Sequence, residues 1–189
     1  NPNYVQSSIP AYDYSQPIVI NTYNTPTADA SAEAFPEQTN VQDQESAATE
    51  AGYQSFDQAR SAFLKQDYRR ALALDEQAIQ SVPSDPVLHE FGALCLFAQG
   101  QYERAAAVLN AVLAVAPGMD WTTMSSLYAD TDVYTKQLRA LEAYADSNPQ
   151  NAPSRFVLAY HYLVAGYPEE AAEELAIVVK LQPEDQVAQ

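Results

Sequence analysis

Apolar runs separated by short polar breaks fill the chain from residue 54 onward, and their lengths suit helices rather than strands. The pattern predicts four helix pairs, 54–66 with 69–81, 87–98 with 102–115, 121–129 with 133–147, and 154–165 with 168–181. Prolines close successive units at Pro83, Pro117, Pro149 and Pro183, separated by 34, 32 and 34 residues. Tyr68, Tyr102 and Tyr134 mark a turn inside the first three units, and small residues follow at Ala71, Ala105 and Ala171. Gly100 and Gly166 stand where the first helix of a pair must stop and reverse, a position suited to glycine. Asp85 before Pro86 supplies an N-cap and a first-turn proline, and Asp120 can cap the helix that opens at Trp121.

The first 50 residues read differently. They hold five prolines, four tyrosines and no Lys, Arg or Gly. Such a segment buries too little apolar surface to offset its ordering entropy, so it is expected to be an extended, largely irregular arm. Residues 28–50 read as a polar linker. One stretch is the exception: Ile18, Val19, Ile20 and Tyr23 have strand character and lie between Pro17 and Pro26. The chain thus divides into an acidic Pro/Tyr/Ser/Thr-rich arm and linker at 1–50 and a helical domain at 51–189.

A helix pair repeated every 34 residues, with small residues at the crossing and a proline after the second helix, resembles the tetratricopeptide repeat. The resemblance covers about 130 residues and is clearest over Val87–Pro117 and Pro153–Pro183. Gly118–Tyr128 and Phe156–Leu163 are similar to stretches of uncharacterised bacterial repeat proteins, which suggests a bacterial source. The fold implied is all-α, a helix-turn-helix solenoid of about four repeats behind the arm. The third unit departs from the pattern. It is two residues short, and Gln137 falls where a small residue is expected.

Charge narrows the range of partners. Twenty-five acidic against nine basic side chains give a formal net charge of −16. Phosphate neutralisation needs clustered Lys and Arg, so nucleic acid is not an expected partner, and neither is an anionic membrane surface. No apolar run approaches the roughly 20 residues that span a bilayer. Catalytic chemistry is sparse. His89 and His161 lack a second His or Cys at metal-ligand spacing, and Cys95 sits within an apolar run. Glu169, Glu170, Glu173 and Glu174 favour the dipole of the last helix and read as a solvated face. The expectation is a non-enzyme with no metal and no cofactor. The arm's composition, together with a start at Asn1, suggests a secreted, extracellular or periplasmic protein after signal-peptide removal. O-glycans at Thr22, Thr25 or Thr27 are a further possibility of that arm.

The resemblance also implies where partners bind, because first helices of this family line a concave groove. By position that groove takes Val87, Glu90, Leu94 and Phe97 from the second unit and Trp121, Met124 and Tyr128 from the third. Phe156, Tyr160 and Leu163 come from the fourth. Shifted by one position, several of these become ordinary core. A second surface is expected at the last helix, where Leu175, Val178, Val179 and Leu181 match the apolar positions of an internal unit with no successor to cover them. The function read from these features is structural: head-to-tail self-assembly, with the arm (Ile18, Val19, Ile20, Tyr23) of one copy docked on the repeat domain of the next to form a filament. The alternative is a monomeric adaptor whose groove takes an extended segment of a different protein.

Overall fold

The computed structural model describes residues 38–189, with side chains from residue 44, and this part of the chain is helical. The described helices are α1 (Gln38–Leu64), α2 (Tyr68–Ser81), α3 (Pro86–Ala98), α4 (Tyr102–Leu113), α5 (Trp121–Ser126), α6 (Thr131–Ser147), α7 (Ala152–Ala165) and α8 (Pro168–Leu181). Three of the four expected pairs pack as pairs, α1 with α2, α3 with α4 and α7 with α8, whereas α5 and α6 of the third unit each pack on α7. The arm residues Ile18, Val19, Ile20 and Tyr23, and Thr22, Thr25 and Thr27, lie outside the described residues.

The caps expected at Asp85 and Asp120 form, and Asp67 and Asp130 supply two more. Side-chain carboxylates cap α2, α3, α5 and α6: Asp67 accepts from Arg70 N, Asp85 from Val87 N, Asp120 from Thr123 N, and Asp130 from Asp132 N. Where paired helices cross, Ala59 and Ala71, Ala93 and Ala105, and Ala159 and Ala171 have at most 1% exposure, so the backbones approach closely. Left-handed turns at Gly100 (φ 71°) and Gly166 (φ 84°) reverse the chain after α3 and α7. The same turn after α1 is made by Gln66 at φ 61°.

Helices α1 to α4 stack in chain order, and the order then breaks, because α7 packs directly on α4 while α6 and α5 flank it. The cause is the third unit. Gln137 is too large for a close crossing, and its Oε1 instead accepts a 2.8 Å hydrogen bond from the Tyr128 hydroxyl. Helix α5 spans only Trp121–Ser126, shorter than the 121–129 expected.

One boundary differs more widely. Helix α1 begins at Gln38, well ahead of residue 54, so residues 38–50 are helical where composition predicted a linker. Ala47, Ala48 and Ala51 among Glu and Gln are strong helix formers, and neither Pro nor Gly interrupts residues 38–51. This half of α1 has little to pack on. Gly52 is the first residue against α2, where an added Cβ would lie 2.9 Å from Ser81 Cβ at the end of that helix. Residues 44–51 are exposed apart from a half-buried Thr49. The start of α1 therefore overhangs the domain by about 20 Å at 1.5 Å per residue.

Candidate functional site

The expected groove is closed. Tyr160 of α7 donates a 2.7 Å hydrogen bond to Glu90 Oε1 of α3, and the same oxygen accepts from Met119 N at 2.7 Å. The ring centroids of Phe97 and His161 lie 3.8 Å apart, so α3 and α7 are in direct side-chain contact. Glu90, Leu94, Phe97, Met124, Tyr128, Phe156 and Tyr160 are consequently buried core residues and do not wall an open groove. The displaced third unit is the reason, since its aromatic residues fill the space that a regular solenoid leaves hollow. Of the ten residues placed on the groove, Val87, Trp121 and Leu163 are exposed.

The uncovered last helix is also corrected. Val178 is fully buried, and Leu175, Val179 and Leu181 are half-buried. The residues after α8 fold back over the domain. Asp185 Oδ1 accepts from Asn110 Nδ2 of α4 at 3.0 Å and from the backbone N–H groups of Val187 and Ala188, and Ala188 is buried.

Exposed aromatic surface gathers elsewhere, in a cleft of about 650 Å³ between α6 and the α7–α8 turn. One face of α6 supplies Thr131, Tyr134, Thr135, Leu138, Arg139 and Glu142, at spacings of three and four that keep them on one side of a helix. Trp121 stands at one rim, 39% exposed, with its ring edge-on to Tyr134 at 5.2 Å. Tyr167, 53% exposed, stands in the reversal after Gly166 and meets Tyr162 edge-on at 6.4 Å. Polar groups in the cleft are held in place: Arg139 Nη1 pairs with Glu142 Oε2 at 2.7 Å, and the Tyr162 hydroxyl donates to Glu142 Oε1 at 3.1 Å. Burial, and then this bond to Glu142, push the Tyr162 phenol up to about 12, so it stays a hydrogen-bond donor at neutral pH. A second cleft of about 550 Å³ beside the α1–α2 turn is lined by Asp57, Lys65, Asp67, Arg70 and small polar residues and presents no aromatic ring.

The cleft offers aromatic planes with hydroxyls and a carboxylate between them. Such walls take proline, aliphatic or aromatic side chains and leave hydrogen bonds for an extended backbone. It lacks a nucleophile paired with a base. His161 is buried outside it, stacked on Phe97, with Tyr134 Oη 3.4 Å from Nδ1; desolvation lowers its pKa to about 3, which keeps it neutral. His89 Nε2 lies 2.8 Å from the Pro83 carbonyl, a local contact. Cys95 is buried, and burial raises its thiol far above neutrality. Among the described residues no group of three His, Cys, Asp or Glu is placed to hold a metal, and no helix is long and apolar enough to cross a membrane.

Sequence reasoning placed Trp121 on a binding surface but not Tyr134, Leu138, Tyr162 or Tyr167. Tyr167 carried a usable signal: an aromatic ring inside a Gly-Tyr-Pro turn has little core to enter. Residues 62–130, from the end of α1 to the cap of α6, match the tetratricopeptide repeat family model. No curated protein matches the chain.

Proposed function

We propose that this chain, a member of the tetratricopeptide repeat family, is a non-enzymatic structural protein that associates with further copies of itself. Repeats of this type imply a protein-interaction module. Head-to-tail association into a filament, with an extracellular or periplasmic placement taken from the arm's composition, is the finer reading. The observation that carries it is the aromatic cleft. Trp121 and Tyr167 keep large apolar rings in water, while seven of the ten expected groove residues are buried and the last helix is at least half-covered within one copy. Exposed aromatic clusters of this kind are typical protein-contact sites.

Light scattering on the full chain over a hundredfold range of concentration tests this. The expected result is a mass that grows with concentration, and a Trp121→Ala variant whose association is weakened at least tenfold while its melting temperature stays within a few degrees. A constant monomer mass for both proteins would leave only the adaptor reading, in which the same cleft takes an extended segment of a different protein.

A further inference from the structure

We infer that the cleft takes the uncharged segment Pro17–Tyr23 of a second copy, held out to it by the overhanging half of α1. This rests on the reading that the cleft binds protein, and it names the occupant and the device that delivers it.

Three observations converge. The first is chemical. Residues 14–28 carry no charged side chain, in a protein of net charge −16, and within them Pro17, Ile18, Val19, Ile20 and Tyr23 supply the apolar groups. Proline-bearing extended segments dock on aromatic walls, because their rings stack flat and their backbone is already stretched. Arg139 is locked to Glu142, so the cleft offers no unpaired cation to an acidic occupant, and Glu170 on its lining repels one. Residues 1–12 are uncharged as well, but only 14–28 set three consecutive branched aliphatic side chains, Ile18, Val19 and Ile20, directly after a proline.

The second observation is the strut. Residues 44–51 of α1 bury almost nothing in one copy, yet the helix continues through them to Gln38. A helix exposed on all sides reaches through solvent rather than packing on a core. It carries the attachment point of the arm about 20 Å beyond the end of α2.

The third is reach. From Gln38 back to Tyr23 the chain spans roughly 50 Å when fully extended. Doubling back along the strut would consume about 20 Å of that before the segment drew level with its own domain. The same reach directed outward needs no reversal, which favours a second copy over its own cleft.

The experiment uses the full chain and an Ile18→Asp/Ile20→Asp variant, whose changes lie outside the helical domain. Trp121 is the only tryptophan, so its emission reports cleft occupancy directly. We expect the wild type to associate with blue-shifted emission. The variant should associate at least tenfold more weakly and emit at longer wavelength. A synthetic peptide of residues 14–26 added to the variant should restore the blue shift without restoring mass. Ala48→Pro, which breaks the strut where nothing packs, should weaken association several-fold and leave the melting temperature unchanged.

Association of the double variant as strong as that of the wild type would overturn the inference. If Trp121→Ala still abolished association in that case, the protein-binding cleft would stand and only the occupant would be wrong. Blue-shifted emission from a wild type that stays monomeric would show the arm folded onto its own cleft, against the second copy. Association indifferent to both Trp121→Ala and the arm variant would sink the cleft reading itself.

Discussion

The first and second helix pairs are built on one plan, yet they treat a buried carboxyl group in opposite ways. Their Ala59/Ala71 and Ala93/Ala105 crossings are equally dry. Asp75, however, occupies the repeat position held by Leu109, Leu141 and Leu175 in later pairs, at the same 34, 32 and 34 spacing as the closing prolines. Its side chain is completely buried, and neither carboxyl oxygen has a hydrogen-bond partner among the described residues. Glu90 in the second pair is also buried, but it accepts from Tyr160 and from Met119 N. Donors make one buried carboxyl a clasp between helices, and their absence makes the other a liability. The penalty for a polar group depends on what surrounds it and not on burial alone.

The largest effect should come from moving the liability into the second pair. Leu109 is 2% exposed within the main core. Leu109→Asp buries a carboxyl with no donor provided for it, a change of the class that costs about 4 kcal/mol or more. Urea denaturation at pH 7 should find most or all of the stability gone. A loss below about 2 kcal/mol would mean that this repeat position tolerates a carboxyl in any pair, and the contrast would collapse.

Next in size is the pH dependence created by Asp75. Burial, and then the charge of Glu76, push its pKa from 3.8 up to about 8. Of the other groups that bear on it, the Cys95 thiol of α3 stays protonated, its own pKa raised mainly by burial and further by Asp75. The folded state thus holds a proton that the unfolded chain releases near pH 4. The stability cost is absent below that value, grows as pH rises, and levels off above about 8. Its slope approaches about 1.4 kcal/mol per pH unit. Asp75→Asn removes the titration, so its stability advantage over the wild type should widen from pH 5 to pH 8. Urea curves for the two proteins that run parallel across this range would contradict the buried, unpaired state of Asp75.

A smaller loss should follow from disarming the clasp. Tyr160→Phe keeps the ring but removes one of the two donors to Glu90 Oε1. Leaving a buried carboxyl short of a donor should cost about 1–3 kcal/mol, read as a lower urea midpoint. A neutral result would assign the α3–α7 contact to ring packing, with Phe97 on His161 as its centre.

The repeat plan was legible in the sequence because proline, tyrosine and alanine spacings each mark a physical need: an end, a turn and a close crossing. The groove was not legible. Its closure follows from α7 settling on α4, a tertiary consequence of the short α5 and the bulky Gln137 that no local pattern encodes. The cleft was hidden for the same reason, since Trp121, Tyr134, Tyr162 and Tyr167 come from separate elements that this displacement brings together. The start of α1 was misread because Ala, Glu and Gln are both linker-like in composition and helix-forming in propensity.

The smallest predicted effect isolates one backbone angle. Gln66 adopts φ 61° in the turn of the first pair, where the equivalent Gly100 and Gly166 adopt 71° and 84°. A side chain in the left-handed region costs roughly 1–2 kcal/mol, and glycine returns part of that through its freer unfolded state. Gln66→Gly should therefore stabilise the domain by about 0.5–1 kcal/mol, a rise of a few degrees in melting temperature. The reverse exchange is a clean control, because a Cβ added at Gly100 would meet nothing closer than the Tyr102 hydroxyl at 4.0 Å. Gly100→Gln should lose what Gln66→Gly gains, since space is free and only the backbone angle resists. Two shifts of opposite sign and similar size would make the turn a backbone cost common to both pairs. A gain at residue 66 without the matching loss at residue 100 would mean that the side chain of Gln66 is itself unfavourable where it sits.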